Sequence, residues 1–231
     1  MNTDLLHYII LIGAYIVLFA TAEILYHKFK IQAEYSRKVV HIGSGLLTML
    51  FPILFSSHWW VLGICSSFVL LLFVSQKYNF LRSINAIDRK SHGSVLYPVA
   101  VYMSFLSYNY MCEKTGVQSY FWFYQPVLVM ALADPAAAIF GKKFPKGVMH
   151  INGDKKTVTG FVSFIIVSFF VTGILVHLLN APIVGVHLYF LLVVSISTAA
   201  TELFTTKGSD NIFIPAVAIF VNYFWVSNII A

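Results

Sequence analysis

TGFVSFIIVSFFVTGILVHLLN, Thr159 to Asn180, runs for 22 residues without one Asp, Glu, Lys or Arg. About 20 such residues in a helix cross the roughly 30 Å hydrocarbon layer of a bilayer, so this stretch predicts a transmembrane helix. Comparable runs fall at 5–27, 39–56, 58–76, 94–111, 120–141, 182–204 and 212–230, giving eight expected spans. Of the 231 residues, 59% are hydrophobic and only 10% charged, where soluble chains carry about 25% charge. That composition excludes a soluble globule, disorder, collagen, a coiled coil and a disulfide scaffold. The expectation is an all-α, polytopic integral membrane bundle forming a single transmembrane domain, 1–231, with no separate soluble domain and no internal repeat. Ala20-Thr21-Ala22 resembles a cleavage site, but no Lys or Arg precedes the first apolar run, so that helix reads as retained. Cys65 and Cys112 lie in or at the end of apolar runs and read as packing residues.

The net charge of +6 has a topological reading. Lys28, Lys30, Arg37 and Lys38 lie between the first two spans, and Lys77, Arg82, Arg89 and Lys90 between the third and fourth. Lys142, Lys143, Lys146, Lys155 and Lys156 follow the fifth and Lys207 the seventh. Fourteen of the 15 basic residues thus share one side, and Lys114 alone is opposite. The positive-inside rule makes the shared side cytoplasmic, with both termini outside. Nucleic acid is not an expected partner.

Ionisable groups at membrane depth are expensive and are functional candidates by default. Asp134 interrupts the fifth span, and Pro135 removes a backbone donor behind it, predicting a helix opened where it lines a cavity. Ala137, Ala138 and Gly141 follow on one small-residue face; a packing face with Asp134 paired to a lysine is the alternative. Gly141-Lys142-Lys143 and Gly153-Asp154-Lys155-Lys156-Thr157, with Gly160 opening the sixth span, combine approachable backbone, positive charge and a helix N-terminus. Such a loop suits phosphate, although contact with anionic lipid is an alternative and the Walker spacing is absent.

Ser195, Thr198, Glu202 and Thr205 form a polar stripe on the seventh span, followed by Lys207-Gly208-Ser209-Asp210-Asn211 and Pro215. Glu202 and Asp210, with Asp134 and with Asn211 alongside, offer oxygen ligands suited to Mg²⁺ held partly through substrate phosphates. Arg37, Lys38, His41, Ser44, Gly45 and Thr48 recur on one face of the second span. A second basic segment, Asp88 to Ser94, precedes the fourth. His41 or His92 is a candidate base for a hydroxyl group; hydrogen bonding within the bundle is the alternative for either. The other histidines read as packing or interface groups, with Glu23 an i+4 partner of His27.

Arg37-Lys38-Val39-Val40-His41, Asp134-Pro135 through Gly141, Lys155-Lys156-Thr157 with Gly160, and Glu202 through Asp210-Asn211 to Pro215 resemble the CTP-dependent lipid-alcohol kinases. These include dolichol, phytol and farnesol kinases and yeast-type diacylglycerol kinase. The short chain, with Gly93-Ser94 to Pro98, looks most like the phytol kinases. The resemblance implies transfer of the γ-phosphoryl group of CTP, with Mg²⁺, to an isoprenoid or other long-chain alcohol at the cytoplasmic face. Arg37, Lys38, Lys142, Lys143, Gly153, Lys155, Lys156, Thr157 and Gly160 would then bind nucleotide, and Asp134, with His41 or His92, would serve catalysis. Phosphatidate cytidylyltransferase shares part of this pattern and is the second reading. Its later carboxylate block is missing here, where Ala216-Val217-Ala218 follows Pro215. An ion-coupled transporter is the third reading, opposed by the one-sided charge and the lack of a repeat.

Overall fold

The computed structural model describes residues 3–86, 91–181 and 187–229. Asp88, Arg89 and Lys90 of the second basic segment, and the first residues of the run at 182–204, lie outside the described residues. The chain forms α1 (Thr3–His27), α2 (Ala33–Thr48), α3 (Phe51–Leu54), α4 (His58–Tyr78), α5 (Arg82–Asn85) and α6 (Gly93–Thr115). Then come α7 (Phe121–Leu128), a π-helical turn (Val129–Ala133), α8 (Asp134–Lys143), β1 (Val148–Ile151), β2 (Asp154–Thr157), α9 (Val158–Leu178), α10 (His187–Phe204) and α11 (Asp210–Ile229).

Among the described residues each apolar run is helical over most of its length. Among the described residues six helical stretches are long and apolar enough to cross a membrane, among them Ala33–Leu54, which joins α2 to α3, and Phe121–Lys143, which joins α7 to α8. Leu188–Phe204 is a shorter apolar helix, and α6 is more polar, with four tyrosines in 23 residues. The molecule is an all-α polytopic membrane bundle.

Its axis is the α7–α8 helix. In that helix 61% of the most apolar window is buried, against 22–39% in the other five, so the others surround it and turn a side outward. The outward sides carry Ile16, Val17, Leu70, Phe73, Phe170 and Ile174, all exposed, a surface that water would not tolerate and lipid does. Phe121, Phe123, Phe105 and Phe51 interlock around the axis, with Phe123 edge-on to Phe105 at 5.6 Å.

Local rules set the helix ends. Ser57 accepts the N–H of Trp59 at the start of α4, and Thr157 accepts the N–H of Gly160 at 3.0 Å to start α9, each satisfying an otherwise free donor. Asn79 and Gly116 close α4 and α6 in the left-handed conformation.

Two expectations are corrected. The fifth span is not opened at Asp134. Its helix continues through it, and the wide π turn Val129–Ala133 directly ahead absorbs the mismatch created by Pro135, which can neither donate to nor clear the carbonyl one turn back. The glycine–lysine loop is likewise not irregular: β1 and β2 form an antiparallel hairpin pairing Val148 with Thr157 and Ile151 with Asp154. Its turn, Asn152-Gly153, has φ of 49° and 85°, the double left-handed turn that Asn-Gly favours.

Candidate functional site

The chain brings its polar motifs to one end of the bundle. α6 and α11 run parallel: Asn211 Nδ2 donates to the Gly93 carbonyl at 2.8 Å at their starts. At their far ends Lys114 Nζ donates to Ser227 at 2.6 Å and sits 4.0 Å from the Tyr223 ring. Lys114, the one basic residue expected on the opposite side, is therefore a helix length away from the others. The two starts are stitched together by the His92 N–H donating to the Lys207 carbonyl at 2.9 Å. Gly208, at φ 85°, lies so close that a Cβ there would stand 2.4 Å from the Gly93 nitrogen.

Beside this junction opens a cavity of about 620 Å³. From α2 it receives Arg37, Lys38 and His41; from α8, Asp134, Ala137, Ala138, Gly141 and Lys142. The hairpin and the start of α9 contribute Asp154, Lys155, Lys156, Thr157 and Gly160, while α10 and α11 supply Glu202, Asp210 and Asn211. Four motifs spread along the chain from Arg37 to Asn211 thus face one space.

Two ion pairs organise it. Lys38 Nζ donates to Asp134 Oδ2 at 2.7 Å, both side chains almost wholly buried. Lys156 Nζ donates to Glu202 Oε1 at 2.5 Å and to the Glu202 carbonyl at 2.8 Å. Each pair lets two charges sit where neither could remain alone. The anchoring of α2 begins a turn earlier, where Ser36 Oγ donates to the Ser83 carbonyl at 2.7 Å and the Ser83 N–H donates to Glu23 at 3.0 Å. His41 Nε2 lies 3.1 Å from the Met130 carbonyl and 3.7 Å from Asp134 Oδ2. Because a carbonyl only accepts, Nε2 carries the hydrogen, and Nδ1 is left as the basic atom of the neutral ring.

The small-residue face meets α9 closely. A Cβ on Gly141 would lie 2.7 Å from Thr157 Oγ1, and one on Gly160 would lie 3.0 Å from the Ala137 carbonyl, so these glycines set the approach of α8 to α9. On β2 the two-residue period separates the lysines: Lys156 turns inward to Glu202, and Lys155 stays exposed at the mouth. Lys142, also at the mouth, pairs with Glu34.

Three expected site residues do not line the cavity. His92 is exposed ahead of α6, Lys143 rests beside the Phe144 ring at 5.5 Å, and Gly153 serves the hairpin turn. Of the polar stripe on α10 only Glu202 reaches the cavity. Thr198 and Thr205 donate to carbonyls one turn back at 2.6 and 2.8 Å, and Ser195 is buried without a partner among the described residues.

Glu34 and Tyr97, which the sequence reading passed over, also line it, as does Ser94 of the second basic segment. Tyr97 donates to the His41 carbonyl at 3.1 Å, and Gln76 holds Ser94 at 2.8 Å. Glu34 was legible as an acid in the first turn of α2, three and four residues ahead of Arg37 and Lys38.

No three His, Cys, Asp or Glu side chains among the described residues converge as a ready-made metal cluster. The cavity offers instead the oxygens of Asp134, Glu202, Asp210 and Asn211. Asp210 makes no direct ion pair among the described residues, Lys38 and Lys156 acting on it only at a distance, and it accepts the Asn211 N–H at 2.9 Å. An all-oxygen set with one carboxylate uncommitted fits a hard ion shared with another ligand.

Past His41 and Tyr97 the cavity turns apolar, bounded by Phe19, Phe51, Ile64, Cys65, Phe68 and Leu72. Fold and site together define a polytopic membrane protein with a cavity that is charged at its mouth and apolar at depth. The chain is related over nearly its whole length to the phytol kinase of Synechocystis sp.: the two are 27% identical across 218 aligned residues, covering 89% of this chain and 87% of that one. This relationship is to the lipid-alcohol kinase family that the four motifs resemble. No family model and no solved structure matches the chain.

Proposed function

We propose that this protein is a CTP-dependent kinase that moves the γ-phosphoryl group of the nucleotide to the hydroxyl of an isoprenoid alcohol, working at the cytoplasmic face. The observation that carries the reading is the single cavity in which the lysine and carboxylate motifs open onto an apolar interior. The phytol kinase relative supports the alcohol as acceptor, and the excess of basic residues at the site end supports its orientation.

Phosphoryl transfer is mostly positioning and charge neutralisation. Arg37, Lys155 and Lys142 stand at the mouth, where phosphate oxygens would arrive first. Lys38 and Lys156, now paired with Asp134 and Glu202, would exchange part of that pairing for phosphate. Asp134, Glu202, Asp210 and Asn211 would hold a Mg²⁺ ion, which neutralises phosphate charge when bound. Asp134 and His41, at the boundary between charged and apolar regions, are the groups placed to take the proton of the acceptor hydroxyl, whereas His92 lies outside the cavity.

The test is which phosphorus reaches the lipid. Purified protein given farnesol or phytol should carry label from γ-³²P CTP into a lipid monophosphate and release CDP, while α-³²P label stays water-soluble. Lipid-extractable label from the α position would overturn the kinase reading in favour of cytidylyl transfer.

A further inference from the structure

The apolar depth of the cavity is a room within the fold. Phe19 of α1, Phe51 of α3, Ile64, Cys65 and Phe68 of α4 and Val101 of α6 bound it, each more than nine-tenths buried. A cavity walled by such groups and left open would forfeit packing on every side, so it is space kept for an apolar occupant. Three of the polar groups nearby are satisfied within the fold. Tyr15 donates to the Ser44 carbonyl, Tyr97 to the His41 carbonyl and Thr48 to the Gly45 carbonyl.

We infer that this room is the tail chamber of the acceptor: it takes the first two to three isoprene units of an allylic or saturated isoprenoid alcohol, with the hydroxyl held between His41 and Asp134. The inference rests on the kinase reading for the identity of the head group and on the cavity alone for the tail. Its length follows from the walls. His41 to Thr48 on α2 spans seven residues, about 10 Å of helix, and the continuation of that stretch to Phe51, also on the wall, brings it to about 15 Å. An extended chain advances about 1.2 Å per bond, the step implied by roughly 3.6 Å for three backbone bonds, so about eight to twelve main-chain carbons fit. A polyprenol of many units would have to leave the chamber.

Cys65 marks the place where it could leave. A shallow groove on the outward side of α4 and α6, with Leu62, Val69, Phe73, Val99 and Tyr102, shares Cys65 with the chamber. There the wall between chamber and bilayer is one small side chain thick.

The chamber is tested with a C15 alcohol carrying a diazirine at its tail, added to the whole protein in lipid nanodiscs and photolysed. Label is expected on the deep chamber walls, at Phe51 or Ile64, and should be competed by unlabelled farnesol. Label confined to outward residues such as Ile16 or Phe170 overturns the chamber, whether or not the protein phosphorylates alcohols. In parallel, Cys65→Trp should lower turnover of the C15 alcohol at least tenfold relative to a C5 alcohol, whereas Ile16→Trp, on the outward side of α1, should leave that ratio unchanged. A Cys65→Trp protein that treats both lengths alike also overturns it, and if that variant does not fold, the photolabel decides. Chamber labelling without any phosphorylated product would sink the kinase reading and leave the chamber standing.

Discussion

Lys38 and Asp134 show why one residue at a time is a poor description of this site. Asp134 alone in an apolar bundle would be an unpaired charge, and so would Lys38; together, 2.7 Å apart, each makes the other tolerable. Removing one partner of a buried pair typically costs about 3–5 kcal/mol, chiefly through the charge left behind. Lys38→Met should therefore lower resistance to thermal unfolding in detergent markedly, and Lys38→Met with Asp134→Asn should recover much of the loss. Neither variant should turn over substrate, since the pair is placed to meet phosphate and metal as well as each other. Recovery of activity in the double variant would reduce both residues to a structural role. Lys156→Ala is expected to raise the nucleotide KM at least tenfold, while Lys28→Ala, which stands outside the cavity, should leave it unchanged; equal effects would return the hairpin lysines to contact with anionic lipid. The residue types were legible in the sequence because charge at membrane depth is rare enough to stand out. A lysine partner for Asp134 was legible as an alternative, but which lysine was not, since the pairing of Lys38 with Asp134 or Lys142 with Glu34 spans about a hundred residues and is decided by packing.

At the scale of elements, long apolar periodic runs read directly as helices, and among the described residues each is helical over most of its length. What escaped were elements that depend on one or two residues. The hairpin was announced only by Asn152-Gly153, within a stretch whose lysines and glycines argue equally for a loop. The π turn follows from Pro135 but was misplaced as a break, because a continuous helix can absorb a proline by widening rather than opening. The junction of α6 with α11 is another such element, resting on Gly208. There an added methyl group would face both a left-handed backbone and a 2.4 Å approach to Gly93. Gly208→Ala is predicted to separate the two helix starts, pulling Asn211 from the Gly93 carbonyl and Asp210 from the cavity. Turnover should fall by tenfold or more while the protein still inserts and purifies as a monodisperse species. Wild-type activity would show that the junction is dispensable to the site.

For the whole molecule, kinase activity requires that all site loops share one compartment, because nucleotide is confined to one side of a membrane and the apolar chamber can be filled from within it. The fold meets the geometric half of that condition: α8, the hairpin, and the starts of α2, α6, α9 and α11 gather at one end, with Lys114 and Ser227 at the other. Which end faces the cytoplasm is a question of insertion, and the positive-inside rule applied to the Lys and Arg distribution predicts that the site end does. In a background with Cys65 and Cys112 replaced by Ala, single cysteines at Lys146 and Ser209 should react with a membrane-impermeant maleimide only after the cytoplasmic side is opened. A cysteine at Val117, just beyond α6 at the Lys114 end and exposed, should react in intact cells. The three positions are coupled, so the experiment reads orientation as well as sidedness. Lys146 and Ser209 on opposite sides would break the cavity apart and with it the site, whereas the full pattern inverted would keep the site and place it facing away from the cytosolic nucleotide pool, which would sink the kinase proposal at its substrate.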